Sequence, residues 1–405
     1  MTRQQEADLV RDEVLRDELS GSTRAVRDFE TRWRRWTGAR HVLTTGSGTL
    51  ALYAAYFGAG VGPGDEVLVP SYTWVNTVGP AILLGARPVL CESDPETLLL
   101  DPGDVRRRVT PRTRAIVAVH LWGNVCDLDA LSGIAREAGA ALIEDCSHAH
   151  GARWRGRHVG TVGTAGCWSL QGSKPVAAGE AGVFATSETA VFERACLLGQ
   201  LSRMGALTTP EHSWLQPLGL GMKLRPHPLG IAIAGVQLGG LDAANGRRRA
   251  WVESVEAAVA GLGDLHPVRA VPGAERAGFH GGLPFLHEPD AGAKMTTAGL
   301  IEALVAAGLP ASPSPYPLLH EQPLFQRGYD VFGRGRGPLG EGFQPYRHGD
   351  LPRIEEAHSR LVFLQVPDEP KAGDGEAVGE TVRRVVLEQA GRAGQLPVTE
   401  RTRTV

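Results

Sequence analysis

Between about residue 36 and residue 200 the chain alternates short apolar runs with stretches of helical periodicity, and this alternation limits the fold more than any other feature. Val67-Leu68-Val69, Arg87 to Cys91, Ala115 to Val119 and Ala140 to Ile143 read as strands, with Val75 to Leu84 and Asp127 to Ala138 as helices between them. Strands that are apolar throughout, rather than at every second residue, are buried on both faces. An α/β fold with a parallel or mixed sheet covered by helices is therefore predicted. Two helices precede it: Gln5 to Leu19, and Ser22 to Trp36 with Val26, Phe29 and Trp33 at helical spacing. Past residue 200 the pattern loosens into loops rich in Gly, Pro and His. A helix from about Leu229 to Ala257 then leads to a smaller C-terminal domain, so the expected division is 1–245 and 246–405. The segment Gln326 to Asp350, rich in Gly, Arg and aromatic residues, is expected to be a long ordered loop or a lid. The polar tail Gln395 to Val405 is expected to fray.

At 405 residues the chain is long enough for two domains with substantial cores. A formal net charge of −3 gives no general electrostatic case for nucleic acid or an anionic membrane. Met1 to Asp12 is charged and lacks the apolar stretch of a secretory signal, and no apolar run is long enough to span a bilayer. The five cysteines, at 91, 126, 146, 167 and 196, show no CxxC spacing and read as buried free thiols in a reducing cytoplasm.

The chain holds four lysines against thirty-eight arginines, and only Lys174 falls before residue 223. Arginine cannot replace lysine where chemistry needs a neutral amine, because its guanidinium stays protonated. Lys174 sits in Trp168-Ser169-Leu170-Gln171-Gly172-Ser173-Lys174-Pro175, ahead of Gly179-Glu180-Ala181-Gly182. Alone it would be a surface lysine in a glycine-rich turn. Two other segments change its context. In Thr44-Thr45-Gly46-Ser47-Gly48-Thr49 a strand end runs into hydroxyls and glycines and then a helix, which suits either a phosphate cradle or an ordinary N-cap. In Glu144-Asp145-Cys146-Ser147-His148-Ala149-His150 two carboxylates close an apolar strand, where open α/β sheets bind ligands. Cys146, His148 and His150 would lie on one side of an extended strand, but no second cluster has metal-site spacing, so no metal is expected. Gly58 to Gly64 is glycine-rich without the GxGxxG spacing and reads as a connecting loop.

A phosphate holder, a strand-end carboxylate, an isolated lysine and a flat aromatic in Pro70-Ser71-Tyr72-Thr73-Trp74 are together what pyridoxal phosphate requires. With these segments, and with Val119-His120-Leu121-Trp122-Gly123, the stretch Gly221 to Leu238 and Tyr316-Pro317-Leu318-Leu319-His320, the chain resembles the DegT/DnrJ/EryC1/StrS aminotransferases from about Ser22 to Pro367. The resemblance implies the PLP-dependent transferase fold type I: a mostly parallel seven-stranded sheet between helices, plus a smaller C-terminal α+β domain. It implies Lys174 as the Schiff-base lysine, Asp145 as the partner of the pyridinium nitrogen, and Trp74 against the ring. Gly48, Thr49 and Ser169 fall at the phosphate. His148 falls near the phenolic oxygen where many members carry Gln, and Lys223 where members reach the neighbouring subunit's phosphate. Tyr316 and His320, with the region Phe279 to Gly282, would line the substrate pocket. A dehydrating branch of the family carries His where Lys174 stands, so the lysine favours transamination. The implied partners are glutamine or glutamate as donor, a keto-cyclitol or keto-sugar acceptor, and a second copy of the chain in a cytoplasmic homodimer. Gln171-Gly172-Ser173-Lys174 looks closer to the aminocyclitol branch than to nucleotide-sugar members. The alternatives are elimination or carbon–carbon bond chemistry on the same cofactor, and a non-catalytic regulatory member.

Overall fold

The computed structural model describes residues 3–288, 295–389 and 391. Two helices open the chain, α1 (Arg3–Leu15) and α2 (Arg24–Thr37). The first stops earlier than its charge pattern suggests, because Asp17 turns to a positive φ of 57°. The second buries Val26, Phe29 and Trp33 on the stripe read from the sequence. There follow β1 (His41–Thr45), α3 (Gly48–Gly58), β2 (Glu66–Pro70), α4 (Gly79–Leu83) and β3 (Arg87–Cys91). Next come α5 (Pro102–Arg108), β4 (Thr113–Val119), α6 (Leu128–Ala138) and β5 (Ala141–Asp145). A short hairpin, β6 (Arg153–Trp154) and β7 (Arg157–His158), leads to β8 (Ala165–Ser169), β9 (Gly182–Thr186) and α7 (Thr189–Cys196).

These strands form a seven-stranded sheet in the order β1-β9-β8-β5-β4-β2-β3. Pairing is parallel from β3 through β2, β4 and β5 to β8, and β9 runs antiparallel to both of its neighbours. Of the strands predicted, β2 and residues 115–119 of β4 are buried along their length, as expected of a sheet covered on both faces, while β5 is half-buried at Ala141 and the edge strand β3 at Arg87 and Val89. The helix expected over Val75 to Leu84 is broken into a 3₁₀ turn (Val75–Thr77) and α4. Pro80 is the cause: it has no N–H to bond the carbonyl one turn back. Gly58 to Gly64 is the predicted connection, between α3 and β2.

The second half begins with α8 (Pro210–Ser213), α9 (Pro228–Leu238) and α10 (Leu241–Val259). The single helix expected from Leu229 to Ala257 is therefore two, parted at Gly239-Gly240, where two successive glycines favour a break. The strands β10 (Leu265–Pro267), β11 (Ala274–Glu275) and β12 (Leu283–His287) precede α11 (Thr297–Ala306) and β13 (Ala311–Ser312). The chain closes with α12 (Pro323–Arg327), α13 (Pro352–Ser359), β14 (Leu361–Leu364) and α14 (Asp374–Gln389). Here β10-β12-β14-β13 form an antiparallel sheet, and β11 joins the β6–β7 hairpin.

Two hydrophobic cores result, one around the large sheet and one from Trp251 to Leu387. β14 serves both: Leu361 and Phe363 face the first, Val362 and Leu364 the second, by strand alternation. The division expected at 245/246 falls inside α10, a few residues before the second core starts at Trp251. The segment Gln326 to Asp350 is an ordered loop rather than a lid. Tyr329 bridges to Leu339, Asp330 accepts from Gly335 N–H at 2.7 Å, and the Tyr346 hydroxyl accepts from Leu90 N–H at 3.0 Å on β3. The tail Gln395 to Val405 lies outside the described residues.

Candidate active site

The C-terminal ends of β2, β4, β5 and β8 open onto a cavity of about 370 Å³. Gly48, Thr49, Trp74, Asp145, His148, Ser169, Lys174 and Tyr316, all singled out from the sequence, line it. Each arrives from a different local cause.

The cradle forms where β1 meets α3. Ser47 caps the helix, its hydroxyl accepting from Leu50 N–H at 3.1 Å, while Thr45 donates to the Ser47 carbonyl at 2.8 Å. Gly46 N–H is tied to the Leu224 carbonyl at 2.7 Å. The N–H groups of the first turn are thereby left facing the cavity end, which suits an anion. Gly48 packs against the end of β8 so closely that a Cβ would lie 2.8 Å from Ser169 Cβ. Glycine is required for that approach.

Asp145 is the last residue of β5, 5% exposed, and both of its oxygens are fixed. Thr77 donates to Oδ2 at 3.0 Å and Ser147 N–H donates to Oδ1 at 3.1 Å. Its neighbour Glu144 points to the other face of the sheet, as strand alternation requires. There it accepts from His120 Nε2 at 3.1 Å and from the N–H groups of Gly160, Val162 and Gly163 at 2.6–2.8 Å. Only one of the two strand-end carboxylates therefore faces the cavity; the other holds a turn.

Lys174 lies in the loop joining β8 to β9. That loop is pinned by Leu170 N–H to the Ala181 carbonyl, Ala178 N–H to the Leu170 carbonyl, and Ala177 N–H to Gln237 Oε1, at 2.7–2.8 Å. Enclosure lowers the ε-ammonium pKa from 10.5 to about 8, against an opposing pull from the Asp145 charge. Desolvation wins. A lysine held this way reaches its neutral, nucleophilic form near physiological pH.

The sequence around His148 behaves differently from its extended-strand reading. β5 ends at Asp145, and residues 146–151 form successive turns, with Ala149 N–H bonded to the Cys146 carbonyl at 2.9 Å. Cys146, His148 and His150 therefore diverge. The Cys146 thiol approaches the Glu144 carbonyl at 3.7 Å, and burial raises its pKa well above the usual range. His150 donates through Nε2 to the Ser169 carbonyl at 2.9 Å and anchors the end of β8. His148 reaches Tyr316 Oη at 3.0 Å, and burial, then the Lys174 charge, holds its imidazole well below its usual pKa. Among the described residues, potential metal-ligand triples occur at His120–Glu144–Cys146 and His320–Glu321–Glu355.

One expected residue lies elsewhere. His320 is fully buried outside the cavity, bonded to Ser71 Oγ at 2.7 Å and to Glu355 at 2.8 Å, because its 3₁₀ turn docks on the start of the β2–α4 connection. It joins two segments rather than lining the pocket. Lys223, expected at the neighbouring subunit's phosphate, is exposed, and the next residue, Leu224, is bonded to the cradle at Gly46. Sequence reasoning missed Asn76, which donates to Thr49 Oγ1 at 2.9 Å, and Thr77, because both were read as helix. It also passed over the side chains of Ser147 and Glu180, which line the cavity within motifs already noted.

The donor set fits pyridoxal phosphate: a helix start with flanking hydroxyls for phosphate, a fixed carboxylate, an indole plane at Trp74 and an amine of lowered pKa. The profile of the DegT/DnrJ/EryC1/StrS aminotransferase family matches residues 2–334. An L-glutamine:2-deoxy-scyllo-inosose aminotransferase of Streptomyces paromomycinus is 34% identical over 385 residues, covering 91% of this chain and 88% of that protein. Among solved structures, 3-amino-5-hydroxybenzoic acid synthase superposes with a TM-score of 0.79 at 27% identity, over 96% of this chain and 97% of the other. DesV of S. venezuelae gives 0.78 at 27%, over 95% of each.

Proposed function

The chain belongs to the DegT/DnrJ/EryC1/StrS aminotransferase family, pyridoxal-phosphate-dependent enzymes of fold type I, and from that premise we propose that it transfers the amino group of glutamine to a keto-cyclitol. The convergence of Lys174, Asp145 and the Ser47–Thr49 cradle on one cavity carries the reading. When bound, the cofactor supplies an electron-withdrawing ring that makes the α-proton of an amino acid removable. This chain's residues do the rest. The first-turn N–H groups of α3 with Thr49 and Ser169 would hold the phosphate, and Trp74 would lie against the ring. Asp145 would keep a proton on the ring nitrogen. The Lys174 ε-amine would tether the cofactor and, as a free amine, would take the α-proton as base and return it as acid.

The acceptor reading draws on the lining. Serines, threonines, Asn76, Gln171, Tyr316 and the imidazoles of His148 and His280 line the cavity beside Lys174, Asp145 and Glu180, and no arginine does among the described residues. Hydroxyl-rich rings suit this wall better than a nucleotide diphosphate, which needs cations. The S. paromomycinus relative, named for glutamine and a deoxy-inosose, supports both substrates.

A homodimer is part of the proposal. Residues 201–222 expose Leu201, Trp214, Leu218, Leu220 and Met222, with Trp214 73% and Leu218 70% exposed, beside the cradle segment. An apolar stretch of this kind suits burial against a second copy, bringing Lys223 toward the neighbouring site. Among the described residues no helix is long and apolar enough to cross a membrane, and a cytoplasmic location fits the biosynthetic role proposed.

The test is a half-reaction. Protein loaded with pyridoxal phosphate should lose its visible absorbance on adding glutamine, yielding one 2-oxo acid per site, and regain it with a keto-inositol, releasing an amine. If no amino donor produces that change, the transaminase reading fails in favour of another reaction on the same cofactor.

A further inference from the structure

His280, from the region expected to line the substrate pocket, also lines the cavity, and what it recognises there is still unassigned. It stands just before β12 between Phe279 at φ 48° and Gly281 at φ 90°, so the backbone aims it by an unusual turn. Its Nδ1 lies 3.1 Å from the Ser173 carbonyl. A carbonyl can only accept, so Nδ1 carries the proton. Burial, then the Lys174 charge, lowers the imidazole pKa to about 4, so the ring is neutral at physiological pH. Its other nitrogen, Nε2, is then an acceptor with no hydrogen.

Tyr316 has the opposite polarity. Trp122 N–H donates to His148 Nδ1 at 3.4 Å, so neutral His148 carries its proton on Nε2 and donates it to the Tyr316 oxygen at 3.0 Å. The phenol proton is left to donate elsewhere. The His148 ring lies 4.7 Å from that of His280 and 5.6 Å from that of Tyr316, so one wall offers an acceptor and a donor close together.

Resting on the reading that the acceptor is a cyclic keto alcohol, we infer that His280 is a specificity-determining residue whose Nε2 accepts the hydroxyl beside the keto carbon while Tyr316 donates to the ketone oxygen. A ketone oxygen only accepts and a hydroxyl can donate, so an α-hydroxy ketone satisfies both groups. An α-methoxy ketone leaves His280 facing an oxygen with no proton. Sites built to bond a hydroxyl reject analogues lacking it far more strongly than sites that only match shape.

Binding of 2-hydroxycyclohexanone and 2-methoxycyclohexanone to the pyridoxal-phosphate-loaded protein, measured by NMR titration without an amino donor, tests this apart from turnover. Wild type should favour the hydroxy ketone at least tenfold. His280→Leu and His280→Met should bring the two ketones within about twofold, while His280→Gln, whose amide oxygen can accept, should keep the preference. Melting curves identify which apolar variant is folded and gives the answer. An apolar variant that keeps the tenfold preference, or a wild type that shows none, overturns the inference. Failure of glutamine to aminate any keto-inositol would instead count against the proposed function and leave the binding ratio readable.

Discussion

Lys174 and Asp145 illustrate how a residue's environment, more than its type, sets its chemistry. The lysine pKa falls to about 8 because burial outweighs the attraction of Asp145. The amine is charged below that value and neutral above it. Covalent capture of added pyridoxal phosphate should therefore rise about tenfold per pH unit from pH 6 to about 8 and then level off. A rate still rising past pH 10 would mean an unperturbed lysine. The sign for stability follows from the same shift. Between about pH 8 and the unfolded value of 10.5 the unfolded chain holds the extra proton, so the cofactor-free protein should gain stability with pH across that window. Thr77, invisible in the sequence, fixes one Asp145 oxygen. Thr77→Val should cost about 1.5–3 kcal/mol in carboxylate positioning, the range for hydrogen bonds to charged groups. In kcat that is roughly tenfold or more, with melting lowered by the same lost bond, and an unchanged kcat would show that Ser147 N–H alone suffices.

The elements were legible where local chemistry and tertiary packing agreed. β3 was read to the residue, α2 was read from its buried stripe, and the strand-end position of Asp145 followed from an apolar run closing on carboxylates. Misses came where one residue overrode a pattern: Pro80 split a helix, and Gly239-Gly240 split another. His320 was misplaced for a different reason, since its motif neighbour Tyr316 lines the cavity and only the fold reveals the 3₁₀ turn that carries His320 away. Close approaches were also beyond the sequence. A Cβ on Gly281 would stand 2.1 Å from the Trp122 ring, and its φ is 90°. Gly281→Ala should thus lower stability by about 2 kcal/mol or more through overpacking and strain. Thermal melting checks it, and a loss under 0.5 kcal/mol would refute the packing. Gly48→Ala should act on the cradle instead, pushing Ser169 away and weakening phosphate retention at least tenfold in cofactor titrations.

At the scale of the molecule, a parallel sheet gathers residues far apart in sequence at the ends of its strands, which is why separate motifs predicted one cavity. The same assembly leaves apolar side chains of residues 201–222 exposed. Light scattering on purified protein should give twice the chain mass, and Trp214→Glu with Leu218→Glu should shift it toward the monomer. Chains that remain dimeric would place the interface elsewhere.

The central claim is that Lys174 alone, of four lysines, reacts with the cofactor. Borohydride reduction of protein loaded with pyridoxal phosphate, followed by peptide mass spectrometry, should find the phosphopyridoxyl group on the peptide containing Lys174, and Lys174→Ala should abolish it. The same adduct on any of the other three lysines, or retention of the adduct in Lys174→Ala, would contradict the account.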